Sequence, residues 1–247
     1  MPNSRPVPVG LLLPTLLLLV AGAAYGSILA ANRIVGEAGF SVIPYMFWQA
    51  ALGGVLVTAI NLVRGARASW RPKHAGHYVV SATFGMLLPF GALSVVATEL
   101  PTGVVTLVVT LVPALTYAMA FALRVEPFRA MSVAALLLGF VGVLMIALPQ
   151  GSLPDPAAAI WILPALIAPL AASTNNVLVA TLRPPDSDSL TLVGAVLLAA
   201  TIIMFPIALA TNGLDAFWSS WTIAGGVIWA AAVQVVGYYA LYEVIRR

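Results

Sequence analysis

The sequence has no cysteine and few charged side chains. Without cysteine, structural disulfides, thiolate nucleophiles and cysteine-based metal sites are excluded. The 247 residues include 11 Lys or Arg and 8 Asp or Glu, which is 8% of the chain. An average soluble domain has roughly 25% charged residues. Because the helices of a soluble bundle need charged outer faces, this composition excludes a water-soluble globule.

The charged residues divide the chain into eight uncharged windows of 24 to 27 residues. A helix needs about 20 mainly apolar residues to cross the hydrocarbon core of a bilayer, so each window is long enough to cross once. The sequence therefore predicts an all-α integral membrane protein with eight transmembrane helices. The windows are 6–32, 38–63, 74–98, 100–123, 130–154, 156–182, 189–214 and 216–242.

The basic residues predict the orientation of these helices. If the N-terminus is cytoplasmic, ten of the eleven Lys and Arg residues fall on the cytoplasmic side and only Arg33 falls outside. We therefore expect a multi-pass protein of the inner (plasma) membrane with both termini in the cytoplasm. The first window is longer than the 7–15 apolar residues of a signal peptide, which favours a retained span. The excess of Arg over Lys, with abundant Ala, Gly and Val, is typical of a GC-rich bacterial genome.

The spacing of the windows predicts an internal repeat. The midpoints of the first and sixth windows lie about 150 residues apart, and the second and seventh lie about 151 apart. A five-helix repeat has an odd number of crossings, so its second copy enters the membrane from the opposite face, as in many secondary transporters. We predict a first copy over residues 1–150 and a partial second copy of three helices over 151–247.

Proline and glycine inside the windows predict where helices break or approach closely. Gly22 and Gly26 form a G-x-x-x-G stretch, which permits close helix packing. Proline removes a backbone donor and is tolerated in transmembrane helices, so seven prolines are candidate breaks. They are Pro14, Pro44, Pro89, Pro113, Pro164, Pro169 and Pro206.

Three groups of uncharged polar side chains inside the windows are candidates for lining a cavity. They lie on the second, sixth and eighth windows, where they accompany Tyr45, Ser173, Thr174 and Tyr242. The alternative is that they form hydrogen bonds between helices, or that the aromatic members belong to an interfacial belt. The predicted substrate-binding residues are Trp48, Gln49, Asn175, Asn176, Gln234 and Tyr238.

No window contains a charge. A charge near the bilayer centre costs at least about 2.5–3.5 kcal/mol and is kept mainly for ion or proton coupling. A mid-membrane proton relay and tight phosphate binding therefore lack support, whereas neutral, zwitterionic or weakly polar solutes suit such a cavity. We expect no cofactor and no metal: the pairs His74/His77 and Asp186/Asp188 are expected to lie in solvated loops.

The run Pro101-Thr102-Gly103 through Pro113, then Leu123-Arg124-Val125-Glu126, then Leu138-Gly139-Phe140-Val141-Gly142-Val143, resembles the end of the first repeat in EamA-type carriers of the drug/metabolite transporter superfamily. That resemblance implies two inverted five-helix copies, so by it the last two helices are missing. It also implies a glutamate at the cytoplasmic end of the fourth helix, the position of Glu126, which we expect to pair with Arg124 or Arg129.

The resemblance implies transport of small organic solutes, amino-acid-like metabolites or amphipathic drugs, by alternating access. The expected partners are a small-molecule solute and membrane lipid, with a homodimer left open and no nucleic acid. A second hypothesis is a truncated, non-transporting relative or half of a larger assembly. A lipid enzyme would need a nucleophile beside a base, or a metal cluster, and the sequence supplies neither in a recognisable pattern, so the protein is not expected to be an enzyme.

Overall fold

A computed structural model describes residues 9–96, 99–147, 160–184, 186–211, 214 and 217–246. These residues form helices and connecting turns, without a β-strand among them. Seven segments are long and apolar enough to cross a membrane, and the fifth predicted helix is the apolar Ala130–Ala147. The remaining ends of the predicted windows, including 148–154 and 156–159, lie outside the described residues. The all-α membrane fold is confirmed.

We number the spans in chain order. The third, fourth and sixth each consist of more than one helical piece. The spans are Val9–Glu37, Val42–Val63, Pro72–Ala82 with Leu88–Val96, Thr102–Val109 with Leu111–Ala122, Ala130–Ala147, Ile162–Ala165 with Ile167–Leu182, Ser189–Ala210, and Trp221–Arg246.

The spans pack in a paired pattern. The first lies against the eighth, the second against the seventh, and the third against the sixth. The second also contacts the eighth, and the seventh also contacts the third. The fourth span packs on the sixth, and the fifth helix contacts the fourth. The centre of the bundle is therefore formed by the second, third, sixth, seventh and eighth spans.

Small residues permit the close contact between the second and seventh spans. A Cβ atom added to Gly54 would lie 3.1 Å from the backbone nitrogen of Leu198 and 3.2 Å from the carbonyl carbon of Leu197. In contrast, a Cβ at Gly22 or Gly26 would meet nothing within 4 Å. The predicted close approach at the G-x-x-x-G stretch is therefore wrong, because that face of the first span points away from the other described helices.

Three spans are interrupted a few residues before a proline. The third contains a π-helical turn, Thr83–Leu87, just before Pro89. The fourth is interrupted at Thr110, before Pro113, and the sixth at Leu166, before Pro169. Proline lacks the N–H that would bond to the carbonyl four residues earlier, and its ring crowds that carbonyl.

Other prolines do not interrupt a helix. Pro14 and Pro206 lie inside continuous helices, and Pro44 lies in the first turn of the second span. A proline in the first turn removes a donor that has no partner within the helix anyway. The breaks are thus confined to the third, fourth and sixth spans.

The two ends of the bundle differ in chemistry. We call the end with the turns 64–71 and 123–129 and the connecting residues 183–184 and 186–188 the basic end, since most of the described Arg residues lie there. We call the opposite end, with the turn 38–41 and the 3-10 helix Phe217–Ser219, the Trp end, because Trp48, Trp218 and Trp221 lie near it.

Candidate functional site

A column of uncharged polar side chains runs through the eighth span from its middle toward the basic end. Gln234, Tyr238 and Tyr242 follow one another at intervals of four residues, so they share one face of the helix. Their side chains are 0 to 2% exposed. At 1.5 Å per residue they extend over about 12 Å. We call these three residues the polar column.

The column meets the third and sixth spans at a glycine. The Tyr238 hydroxyl donates a hydrogen bond of 2.5 Å to the carbonyl oxygen of Gly85. Pro89 lacks the N–H that would donate to this carbonyl in a regular α-helix. On its other side, a Cβ at Gly85 would lie only 2.8 Å from Cγ of Asn175. The backbone of the third span therefore fits between Tyr238 and Asn175 only because residue 85 is glycine.

Several buried polar atoms along this column have no hydrogen-bond partner within 3.5 Å in the described part of the chain, although Gln234 lies near Tyr238 and Ser81 lies near Tyr242. In the middle of the membrane these are Nε2 and Oε1 of Gln234 and Oδ1 of Asn175. Toward the basic end they are the hydroxyl oxygens of Tyr78, Ser81 and Tyr242 and Nε2 of His77. Leaving such a group unpaired in a protein interior costs about 1–3 kcal/mol. Such buried atoms need a partner that these helices do not supply, such as a bound water or a ligand.

The candidate residues of the second span diverge. Gln49 is 1% exposed, and its Nε2 donates at 3.5 Å to the carbonyl of Ala230, one helical turn from Gln234. Trp48 instead stacks at the Trp end, with ring centroids 5.0 Å from Phe217 and 5.9 Å from Trp218. Gln49 thus extends the polar interior toward the Trp end, and Trp48 belongs to an aromatic cluster that covers it.

The two asparagines of the sixth span also diverge. Asn175 faces Gly85, whereas Asn176 donates to the Thr116 hydroxyl at 3.3 Å. Ser173 donates to the carbonyl of Val112 at 2.9 Å. Successive residues of a helix point about 100° apart, because one turn takes 3.6 residues. Asn176 and Ser173 therefore fasten the sixth span to the fourth, and Asn175 alone faces the centre.

A hydrogen-bond network joins three spans at the basic end. The Arg183 guanidinium donates to the carbonyl of Tyr242 at 2.7 Å and to the Ser189 hydroxyl at 3.2 Å. Ser189 donates in turn to a carboxylate oxygen of Glu243 at 2.9 Å. Glu243 is only 6% exposed. These hydrogen bonds join the sixth, seventh and eighth spans at the basic end of the polar column.

Beside this network, Arg64 and Asp188 form an ion pair of 3.2 Å. Asp188 also caps the seventh span, since its carboxylate accepts from the Thr191 N–H at 2.6 Å. Burial raises the pKa of Asp188, but the hydrogen bonds from Thr191 and the charge of Arg64 outweigh it and leave the pKa below its ordinary value. A cleft of ≈ 380 Å³ opens here, lined by Arg64, Asp188, Ser189, Leu190, Tyr239 and Glu243.

The histidines do not lie in a solvated loop, so that expectation is wrong. His74 and His77 are in the first turns of the third span, 8% and 6% exposed. His74 Nε2 lies 3.0 Å from a carboxylate oxygen of Asp186, and this hydrogen bond lowers the pKa of Asp186. Asp186 therefore bonds to His74, whereas Asp188 pairs with Arg64. The described residues contain no group of three potential metal ligands.

The residues that carry the sequence resemblance lie at the periphery. Pro113 is exposed beside the break in the fourth span, and Glu126 is exposed in the turn 123–129. Within the described residues, Glu126 forms no ion pair with Arg124 or Arg129, so the expected pairing is wrong. The Tyr117 hydroxyl holds this turn instead: it accepts from the N–H of Arg129 at 2.7 Å.

Sequence reasoning missed Gly85, Arg183, Ser189 and Glu243. Gly85 stands exactly four residues before Pro89, a spacing that would have marked its carbonyl as open to another donor. Arg183 and Glu243 flank uncharged windows, a position typical of interfacial charges. The burial of Glu243 and its link to Arg183 through Ser189 depend on the sixth and eighth spans ending side by side, which the sequence does not show.

The fold defines the class of the protein: a multi-pass, all-helical membrane protein. A sequence model of the EamA-like transporter family matches residues 12–148, more than half of the chain. The protein belongs to the EamA-like transporter family, within the drug/metabolite transporter superfamily.

Structural comparison agrees with this fold. A solved crystal structure, titled only as that of a protein, superposes with a TM-score of 0.70 at 20% sequence identity. The match covers 94% of this chain and 79% of that one. At this identity the likeness shows the fold alone. No curated protein matches the sequence significantly.

Proposed function

We propose that this protein carries small neutral or zwitterionic organic solutes, amino-acid-like metabolites or amphipathic drugs, across a bacterial inner membrane by alternating access. The observation that carries the proposal is the set of buried, unpartnered and uncharged amide and hydroxyl groups around Gln234. Membership of a transporter family supports the same reading.

The orientation and repeat are part of this proposal. With the basic end in the cytoplasm, ten of eleven basic residues obey the positive-inside rule and both termini are cytoplasmic. The packing pattern supports an inverted repeat over 1–150 and 151–247. In such a repeat the first, second and third spans correspond to the sixth, seventh and eighth. Under this correspondence the contact between the first and eighth spans becomes the contact between the sixth and third, and the contact between the second and seventh becomes itself.

The chemistry of the column favours uncharged or internally balanced solutes. The windows that form the second, third, sixth, seventh and eighth spans hold no charged residue, and Glu243 lies about 14 Å along the helix from Gln234. A phosphate group at Gln234 would lack a cation beside it. The residues proposed to bind the solute are Gln49, Gln234, Tyr238 and Asn175. Trp48 covers the Trp end, and Asn176 holds the sixth span in place.

Helix breaks beside the column supply the places where the bundle can bend. The π-helical turn Thr83–Leu87 contains Gly85, and the break at Leu166 lies in the span that carries Asn175. Missing backbone hydrogen bonds lower the cost of bending at these points. Opening at one end and then the other would expose Gln234 alternately to the two sides of the membrane.

The experiment is flux into liposomes containing the purified full chain. We expect uptake of at least one member of a panel of labelled amino acids and cationic dyes above that of empty vesicles. Asn175→Ala should reduce this uptake, whereas Ser94→Ala, which removes a buried unpartnered hydroxyl outside the column, should not. Flux no higher than in empty vesicles for every solute would contradict the proposal.

A further inference from the structure

The cleft at the basic end brings charges from three spans to one cavity. Its volume is ≈ 380 Å³, and the second, seventh and eighth spans each contribute a charged residue to its wall. Arg64 is the cation, and Asp188 and Glu243 are the anions. Arg64 directly follows the second span and Asp188 directly precedes the seventh. The cleft therefore lies where these spans leave the membrane, at the depth of lipid headgroups.

An exposed stripe of the eighth span runs into this cleft. Ala232, Val236 and Tyr239 are exposed and follow one another at intervals of four and three residues, so they share one helix face. Glu243, four residues further, continues that face but is only 6% exposed. At 1.5 Å per residue, the distance from Ala232 to Glu243 is about 16 Å, roughly half of the ~30 Å hydrocarbon core. A lipid of one leaflet can therefore lay its acyl chain along the stripe with its headgroup in the cleft.

The charges of the cleft match a headgroup that carries both a phosphate and an ammonium group. Arg64 has five N–H donors and uses two in its contacts with Asn61 and Asp188, so donors remain for a phosphate. The carboxylates of Asp188 and Glu243 favour a cation with N–H bonds. The C-terminal ends of the second and eighth spans favour a cation as well. The N-terminus of the seventh span, which would attract an anion, is already capped by Asp188.

Other headgroups match this arrangement less well. Phosphatidylglycerol is anionic and brings no cation to the two carboxylates. Phosphatidylcholine brings a cation, but three methyl groups on its nitrogen leave it without an N–H bond. Soluble phosphoethanolamine has the right charges but leaves the apolar stripe unused, and burial of apolar surface contributes to binding in proportion to its area.

We propose that this cleft binds a lipid with a phosphoethanolamine headgroup. Arg64 binds the phosphate, Asp188 and Glu243 accept hydrogen bonds from the ammonium group, and an acyl chain packs on Val236 and the Tyr239 ring. The cleft lies on a different face of the eighth span from the polar column. The inference is therefore independent of the transport proposal.

The test is binding of phosphatidylethanolamine, phosphatidylglycerol and phosphatidylcholine with identical acyl chains to the purified, delipidated full chain in detergent, measured by native mass spectrometry. We expect phosphatidylethanolamine to bind roughly fivefold more tightly than the other two, because only its headgroup brings a cation with N–H donors. Millimolar soluble phosphoethanolamine should leave this lipid bound. Displacement by the soluble compound would assign the cleft to a water-soluble ligand and reject the lipid.

Substitutions on the two sides of the cleft test the two parts of the headgroup separately. Glu243→Gln keeps an acceptor for the Ser189 hydroxyl but removes the charge, so the preference for phosphatidylethanolamine should disappear. Arg64→Gln removes donors to the phosphate, which all three lipids share, so each should bind more weakly. Glu126→Gln removes an exposed carboxylate in the turn 123–129 at the same end and should bind as the parent does.

Thermal unfolding shows whether each variant is folded. If Glu243→Gln does not fold, Asp188→Asn takes its place and should reduce the preference, since it keeps a capping oxygen and loses the charge. Equal binding of the three lipids by the parent overturns the inference. So does an unchanged preference in a folded carboxylate variant, or the same loss of preference in Glu126→Gln.

Discussion

The two ends of the polar interior are closed by different kinds of contact. At the basic end, Arg183, Ser189 and Glu243 join three spans through hydrogen bonds to charged groups. At the Trp end, Trp48 packs on Phe217 and Trp218 through ring contacts. Hydrogen bonds to charged groups contribute about 1.5–3 kcal/mol, and aromatic pairs contribute about 0.5–1.5 kcal/mol.

This difference indicates how the two ends would open. The basic end depends on hydrogen bonds to charged groups with defined geometry, so a single substitution in the network should open it sharply. The Trp end depends on the ring packing of Trp48, Phe217 and Trp218, so it should loosen gradually. Since the chain has no cysteine, single cysteines in the third span can report on each end separately.

The largest effect is expected for Arg183→Met, which removes the donors to Tyr242 and Ser189. Because Arg183 is partly exposed, we discount its charged hydrogen bonds and expect a loss of about 3 kcal/mol in the free energy of unfolding. A cysteine replacing the buried Ser81 should then react roughly tenfold faster with a water-soluble thiol reagent. Thermal unfolding in detergent measures the first effect and the labelling rate the second.

The control for Arg183→Met is a cysteine in the Trp-end half of the same span. Ser94→Cys, whose parent hydroxyl is buried, should label at an unchanged rate in the Arg183→Met background. Equal acceleration at both positions would mean that the substitution loosens the whole bundle rather than the basic end.

The next largest effect is expected where the first and eighth spans meet near the Trp end. Gly226 lies against the Val35 side chain so closely that an added Cβ would collide with its Cγ2 atom, whereas a Cβ at the adjacent Gly225 would meet nothing within 4 Å. Gly226→Ala should cost about 2 kcal/mol through overpacking, since a β-branched side chain adapts poorly.

Gly225→Ala is the matched control for that collision. It should raise stability by about 0.5–1 kcal/mol, because alanine is the better helix former. Thermal unfolding of the two variants beside the parent makes the comparison. A destabilisation of the same size in both would show that the first span does not pack on the eighth as described.

Trp48→Leu should open the Trp end selectively. The loss of ring contacts to Phe217 and Trp218 should cost about 1–2 kcal/mol. Labelling of Ser94→Cys should then accelerate while labelling of Ser81→Cys stays unchanged, the reverse of the Arg183→Met pattern. Faster labelling of Ser81→Cys would reject the assignment of Trp48 to that end.

The distribution of charge was sufficient to predict the membrane class and the positions of the helices. The sequence also indicates that Gln234 and Tyr238 share one helix face, because residues four apart lie on the same face of any α-helix. It could not separate Asn175 from Asn176, or Gln49 from Trp48. The side of a helix that faces the bundle is set by the neighbouring helices. A helix that is apolar on all sides has no polar face from which that side could be predicted.

Contacts between segments far apart in the chain could not be predicted from the sequence, for the same reason. The pairing of His74 with Asp186 joins residues 112 positions apart, and the Gly85 junction needs three spans to meet. Local turn chemistry was more accessible: Gly65, at φ +71, ends the second span as a C-terminal glycine does, but Arg124 takes φ +59 at the end of the fourth. No propensity predicts arginine at that position.

The smallest effect concerns Asp188 and the pH dependence of the basic end. Its pKa is lower in the folded protein than its ordinary value near 3.9. A depressed pKa means that the carboxylate stabilises the fold above pH ~4, and that this contribution disappears as pH falls through the lowered pKa.

Asp188→Asn keeps a capping oxygen for Thr191 but removes the charge facing Arg64, an exposed pair worth at most about 1 kcal/mol. Unfolding measured between about pH 7 and pH 3 should therefore show a small loss for Asp188→Asn near neutrality and convergence with the parent at the acidic end. A constant difference across that range would mean that the side chain acts through packing alone.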